Sequence, residues 1–205
     1  MNQTSPNRTS LQRRALRLEY ATIGWNVGEA VLTIALGSVA GSLALIGFGT
    51  VSVVEVFASS VVVWHLKPGH DVDHRGRTRL ALRLTAMAFL LLAVVLTIAA
   101  VSDLASGRQA GESPWGIAYL AVTALVMFGL AMLKRRTAIG LDSAPLKSEA
   151  TLTFLDGMLS TATLVGLALN AYIGWWWADP AAAILVALAA FNEAKENWQE
   201  ADELG

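Results

Sequence analysis

Residues 41–66 read GSLALIGFGTVSVVEVFASSVVVWHL. The only acid in the stretch is Glu55, and no other charge interrupts it before His65. At about 1.5 Å per residue it is long enough to cross the roughly 30 Å of bilayer hydrocarbon. A carboxylate at that depth is costly, and is kept where it faces a partner, a cavity or an ion path. Ser52, Glu55 and Ser59 recur at steps of three and four, so they share one polar stripe on an apolar helix, and Val51 stands one turn before Glu55. A second long apolar run, residues 150–178, carries Asp156 in the same way. The two acids are the candidate cation or proton site, and the remaining chain is the frame that brings them together.

Composition agrees. Hydrophobic residues make up 55% of the 205 residues and only 15% are charged, against about 25% in a water-soluble domain. The charges fall in short clusters between long apolar runs, which predicts an all-α membrane protein. Cysteine is absent, which removes disulfides and thiolate ligands. The basic start of the chain has no small-residue cleavage site and reads as a cytoplasmic tail. That location also sets aside Asn7-Arg8-Thr9 as a glycosylation acceptor.

Six spans can be cut, at Leu16–Leu36, Gly41–Leu66, Arg79–Val101, Trp115–Leu133, Glu149–Ile173 and Trp175–Phe191. A single span over residues 30–54 is the alternative, but the small residues 37–42 favour a break there. With this cut every Lys and Arg except Arg108 lies on one side. Positive charge stays in the cytoplasm, so the expectation is a six-transmembrane-helix bundle with both termini inside. Residues 1–15 form a polar basic tail, 16–191 the transmembrane domain and 192–205 a short acidic, helical cytoplasmic tail.

Other polar positions complete the reading. Asn26 and Glu29 share a helix face in span one. Gly24 with Gly28, and Gly37 with Gly41, are spaced for close helix approach. In span five, Glu149, Leu152, Thr153, Asp156 and Ser160 share a face, with Glu149 at the boundary, either lining an entry path or facing water. His70, Asp73 and His74 stand close enough in one loop to form an accessory cytoplasmic metal site. Lys134-Arg135-Arg136 reads as a topology anchor. Spans three and four are nearly featureless and read as lipid-facing scaffold. Three consecutive tryptophans suit the membrane boundary, and Asp179-Pro180 suits a helix start with Asp179 as the N-cap.

The six spans with both ends inside, GSLALIGFGTVSVVEVFASS in span two, Asp156 in span five and WWADP before span six together resemble the cation diffusion facilitator (cation efflux) family, over about Leu18 to Trp198. The resemblance implies a pair of acids four residues apart in span two, and a His or Asp with an Asp four apart in span five. These four side chains hold one divalent ion near mid-membrane and exchange it for protons. It implies a homodimer, and a short branch without the family's cytoplasmic metal-binding domain. Glu55 and Asp156 occupy the second position of each pair, while Val51 and Leu152 occupy the first.

The expectation is therefore a divalent cation/proton antiporter of the efflux type in the plasma membrane, not an enzyme. Glu55 and Asp156 are its metal ligands, and Asn26, Glu29, Ser52, Thr153 and Glu149 are supplementary ligands or path residues. The substrate is a divalent cation such as Zn²⁺, Mn²⁺ or Fe²⁺, with no permanently bound cofactor. Oxygen ligands favour harder ions than zinc. The partners are the lipid bilayer, protons and a second copy of the chain, with no nucleic acid. The alternative is a degenerate, non-transporting membrane protein that keeps the fold, for which Val51 and Leu152 are the argument.

Overall fold

The computed structural model describes residues 6–40, 43–67, 74–107 and 114–204. Among them lie six α-helices and no strand: α1 (Pro6–Ala40), α2 (Leu43–Leu66), α3 (His74–Ser106), α4 (Pro114–Leu141), α5 (Ala144–Ile173) and α6 (Ala178–Glu203). Apolar side chains leave the backbone no hydrogen-bond partner outside its own helix, so long apolar runs become long helices.

The helices pack mainly as three pairs: α1 with α2, α4 with α5, and α3 with α6. Contacts of α1 with α4 and of α2 with α5 bring the first two pairs around one interior, which the α3–α6 pair flanks against α2 and α5. The largest apolar cluster joins these flanks, with Val51 and Val54 on α2, Phe89 and Leu92 on α3, Leu152 and Leu155 on α5, and Val186 and Ala190 on α6. A smaller one, including Ala15, Val62, Ala138 and Leu146, ties α1, α2, α4 and α5 at one end.

Outward faces are apolar too. Ile98, Leu125, Ile139 and Leu185 are among the exposed large side chains. A surface of this kind needs lipid or another protein to cover it. Among the described residues, four helices are long and apolar enough to cross a membrane: α2, α3, α4 and α5. The first and sixth expected spans fall below that standard for separate reasons. Helix α1 gives five inward positions to Glu19, Thr22, Asn26, Glu29 and Thr33, all buried. Helix α6 turns polar after Phe191, with Glu193, Lys195 and Glu196.

Several boundaries differ from the sequence reading. Most of the basic tail is helical, because α1 starts at Pro6, and α1 also runs on through Gly37 to Ala40. The expected loop over 134–148 shrinks to Asp142 and Ser143, with Asp142 in the left-handed region at φ 52°. Two more turns of α4 are thereby added, which carry Lys134 into the bundle. Helix α6 begins at Ala178 with Trp177 as its N-cap, so Asp179 lies in the first turn instead of capping it.

Of the glycines expected to permit close approach, Gly24 and Gly28 do not, and the Gly37–Gly41 pair ends at Gly41, outside the described residues. A Cβ at Gly24 or Gly28 would meet open space. At Gly49 it would lie 2.5 Å from the Ile34 side chain, and at Gly166 it would lie 2.8 Å from Cα of Asp179. Gly49 therefore sets the α1–α2 contact, and Gly166 lets α5 touch the start of α6.

Candidate functional site

The polar stripes of α1, α2 and α5 follow the same rule. Glu19, Thr22, Asn26, Glu29 and Thr33 step along α1 by three and four residues, as do Ser52, Glu55 and Ser59 on α2, and Glu149, Thr153, Asp156 and Ser160 on α5. Such spacing keeps one face inward for several turns. All these side chains are buried. Helix α4 adds Tyr119, Thr123 and Lys134. The result is three polar tiers stacked along the bundle interior. Glu19 and Glu29 are ten residues apart, so the tiers span about 15 Å.

In the first tier Glu29 is surrounded by hydroxyl donors. Tyr119 donates to Oε1 at 2.6 Å and Thr123 to the same oxygen at 3.4 Å, while Ser52 donates to Oε2 at 2.9 Å. Glu29 is thus held by α2 and α4, and each of its oxygens has a donor.

In the second tier Asn26 donates from Nδ2 to Oε2 of Glu55 at 2.7 Å, and also to the Thr22 carbonyl at 3.1 Å. The other Glu55 oxygen, Oε1, has no hydrogen-bond partner, and neither has Oδ1 of Asn26. Asp156, whose charged neighbours are Glu55 and Glu29, has Oδ2 buried without a partner. Thr153 neighbours Glu55 on α5, but its hydroxyl is directed to Glu149 at 3.3 Å.

In the third tier the ammonium of Lys134 lies 2.7 Å from both oxygens of Glu149, and 3.2 Å from the Thr153 hydroxyl. Oε2 of Glu19 is 3.4 Å away. Ser59 donates to Oε1 of Glu149 at 2.7 Å. Lys134, Glu149 and Glu19 are all 0% exposed.

These placements revise the sequence reading in several respects. Lys134 is not a boundary anchor; it is completely buried, whereas Arg135 and Arg136 beside it are exposed. Glu149 does not face water. Helix α4 is not bare scaffold, since three of its polar side chains enter the tiers. Val51 and Leu152 belong to the apolar cluster shared with α3 and α6, so one turn before each acid the interior is hydrocarbon. His70 and Asp73 lie outside the described residues, and His74 stands exposed at the start of α3. Among the described residues no three His, Asp or Glu side chains converge into a metal cage.

Sequence reasoning missed Glu19, Lys134, Tyr119 and Thr123. Glu19 was legible, because it continues the three-and-four spacing of Asn26 and Glu29. The α4 residues carry a weaker signal: Tyr119 and Thr123 are four apart, but no polar side chain continues that face until Lys134. Thr123 and Lys134 are eleven residues apart with apolar residues between them, and Lys134 sits beside two arginines that look like an anchor.

Chemically, the first tier is a carboxylate saturated by neutral donors, and the third is a carboxylate pair around an ammonium. The second is an arrangement of oxygens short of donors. Carboxylate, amide and hydroxyl oxygens are hard donors, suited to divalent cations of that class. No curated protein matches the chain. The model of the cation efflux transmembrane domain matches residues 20–198, which takes in part of every helix and every tier residue except Glu19. A bundle with inward acids on α1, α2 and α5, matched over that length, belongs to the cation efflux family of transmembrane cation transporters.

Proposed function

We propose that this chain exchanges a divalent cation for protons across the membrane, with Glu55 and Asp156 as the carboxylates that take the ion. The observation that carries this reading is the shortage of donors in the second tier. Glu55 Oε1, Asp156 Oδ2 and Asn26 Oδ1 are buried acceptors without a hydrogen bond. Buried acceptors are normally satisfied, and leaving one bare costs about 1–3 kcal/mol. Lys134 is a charged neighbour of Glu55 but makes no hydrogen bond to it, so a cation bound among these oxygens would supply the direct partner that they lack. When it leaves, protons on the two acids replace it, which couples the two fluxes.

The ligand set would be two carboxylates, the Asn26 amide oxygen and water. Thr153 and Ser52 are within the adjoining tiers as supplementary donors of oxygen, and Glu149 and Glu29 line the path on either side. This all-oxygen set favours Mn²⁺ over Zn²⁺ by ligand hardness. In this reading all six helices span the membrane and both ends are cytoplasmic. Helices α1 and α6 tolerate their polar positions because they face protein, not lipid. The working form is a homodimer in the plasma membrane, exporting its ion.

The test is metal-driven proton movement in proteoliposomes offered Zn²⁺, Mn²⁺ or Fe²⁺. The parent is expected to transport, and Glu55→Ala with Asp156→Ala is expected not to. Unchanged flux in the double variant would defeat the assignment.

A second reading is favoured by Val51 and Leu152, which are packed into the apolar cluster where the family resemblance implies ligands. On it the chain keeps the fold without transport. Val51→Asp separates the two: transport by that variant alone, and not by the parent, would support the non-transporting reading.

A further inference from the structure

The third tier is unlike the other two because it already contains a cation. Lys134 reaches it from α4, carrying a compact ammonium on a flexible stem. Its charge sits among carboxylates of three other helices, Glu149 on α5, Glu19 on α1 and, beyond contact distance, Glu55 on α2; the Thr153 hydroxyl accepts from the ammonium and the Ser59 hydroxyl donates to Glu149. The fit is uneven. Glu149 takes the ammonium on both oxygens at 2.7 Å, whereas both oxygens of fully buried Glu19 lack any hydrogen bond, even with the ammonium 3.4 Å from Oε2. Two carboxylates and one hydroxyl thus contact a single positive charge that satisfies one carboxylate well and the other poorly. A divalent ion would satisfy both.

We propose that Glu19, Glu149, Ser59 and Thr153 form a second cation-binding site, and that the Lys134 ammonium is its built-in occupant. The class of ligand is a divalent cation that prefers oxygen donors. The ammonium stands where such an ion would otherwise bind, and it keeps that end of the bundle interior closed to a second ion. Thr153 adjoins both Glu55 and this site. An ion moving between Glu55 and that end of the bundle must therefore pass the ammonium or displace it. That last step rests on the transport reading above; the existence of the site does not.

The experiment is equilibrium binding of Mn²⁺ to the purified full chain in lipid nanodiscs, comparing the parent with Lys134→Met. Methionine has similar volume and no charge. The expected result is one more Mn²⁺ bound per chain in Lys134→Met than in the parent, lost again in Lys134→Met with Glu149→Gln. Lys134→Arg, which keeps a charge in place, is expected to bind as the parent does. Adding Glu55→Gln and Asp156→Asn to Lys134→Met separates this proposal from the function above. The extra ion must persist there even if the parent binds none.

Equal Mn²⁺ stoichiometry in the folded parent and Lys134→Met would overturn the proposal. If Lys134→Met does not remain monodisperse after solubilisation, Mn²⁺ present during solubilisation is expected to restore it, because the ion replaces the missing charge. No restoration by Mn²⁺ would overturn the proposal as well.

Discussion

Glu149 and Asp156 are two turns apart on the same face of the same helix, and their surroundings are opposite. Glu149 receives an ammonium on both oxygens and two hydroxyls on one of them. Asp156 has a buried oxygen with no donor and other acids for charged neighbours. Helix α5 supplies the same chemical group at both depths. The difference is made by its neighbours, since α4 brings Lys134 to the first position and nothing equivalent to the second. A carboxylate with its charge already answered holds helices together. A carboxylate left unanswered stores a cost that an arriving cation can relieve.

The largest expected effect tests the unanswered side. Replacing both Glu55 and Asp156 with alanine should reduce proton-coupled metal flux in proteoliposomes to the protein-free background. Retention of flux would mean that the open oxygens are not the transport ligands, and the contrast with Glu149 would lose its functional meaning.

The next effect is on stability and belongs to the answered side. Glu149→Ala leaves the buried Lys134 ammonium with Glu19 alone, 3.4 Å away, as a carboxylate contact; breaking a buried pair costs about 3–5 kcal/mol, and the lower end is expected here. Denaturant unfolding in lipid micelles should show a loss of that order. A loss below about 1 kcal/mol would show that Glu149 is no better anchored than Asp156.

A smaller loss is expected in the first tier. Tyr119→Phe removes one of three hydroxyl donors to Glu29, and a hydrogen bond to a charged group is worth about 1.5–3 kcal/mol. Because Ser52 and Thr123 still reach the carboxylate, the lower end of that range is expected, read from the same unfolding curves.

The smallest effect sharpens the comparison most. Asp156→Asn keeps the shape of the side chain and breaks no hydrogen bond at Oδ2. It should leave stability unchanged or raise it by up to about 1 kcal/mol, because no hydrogen bond is lost there and a bare buried charge, itself costly, is removed. A fall comparable with that of Glu149→Ala would reveal a structural partnership at Asp156.

Parts of this arrangement were legible in the chain. The apolar runs marked the helices, and the stepping of Ser52, Glu55 and Ser59 marked an inward stripe on α2. The same stepping on α5 put Glu149, Thr153, Asp156 and Ser160 together. Helix ends were less legible. A basic cluster such as Lys134-Arg135-Arg136 reads as a boundary, yet α4 continues to Leu141 and turns into α5 within two residues. The clearest failure was to read three neighbouring cations alike, when one is fully buried and the other two face outward.

The physical reason lies in the range of the interactions. Hydropathy and the 3.6-residue period act within a few turns, so the sequence by itself determined that the helices form, which faces are polar, and that Glu55 and Asp156 lie at depth. Whether an inward acid meets a donor depends on side chains that arrive from other helices. Glu29 meets Tyr119, Glu55 meets Asn26, and Glu149 meets Lys134 and Ser59. Tertiary structure alone decided those meetings, and with them which carboxylates have every oxygen bonded and which keep a buried oxygen without a donor.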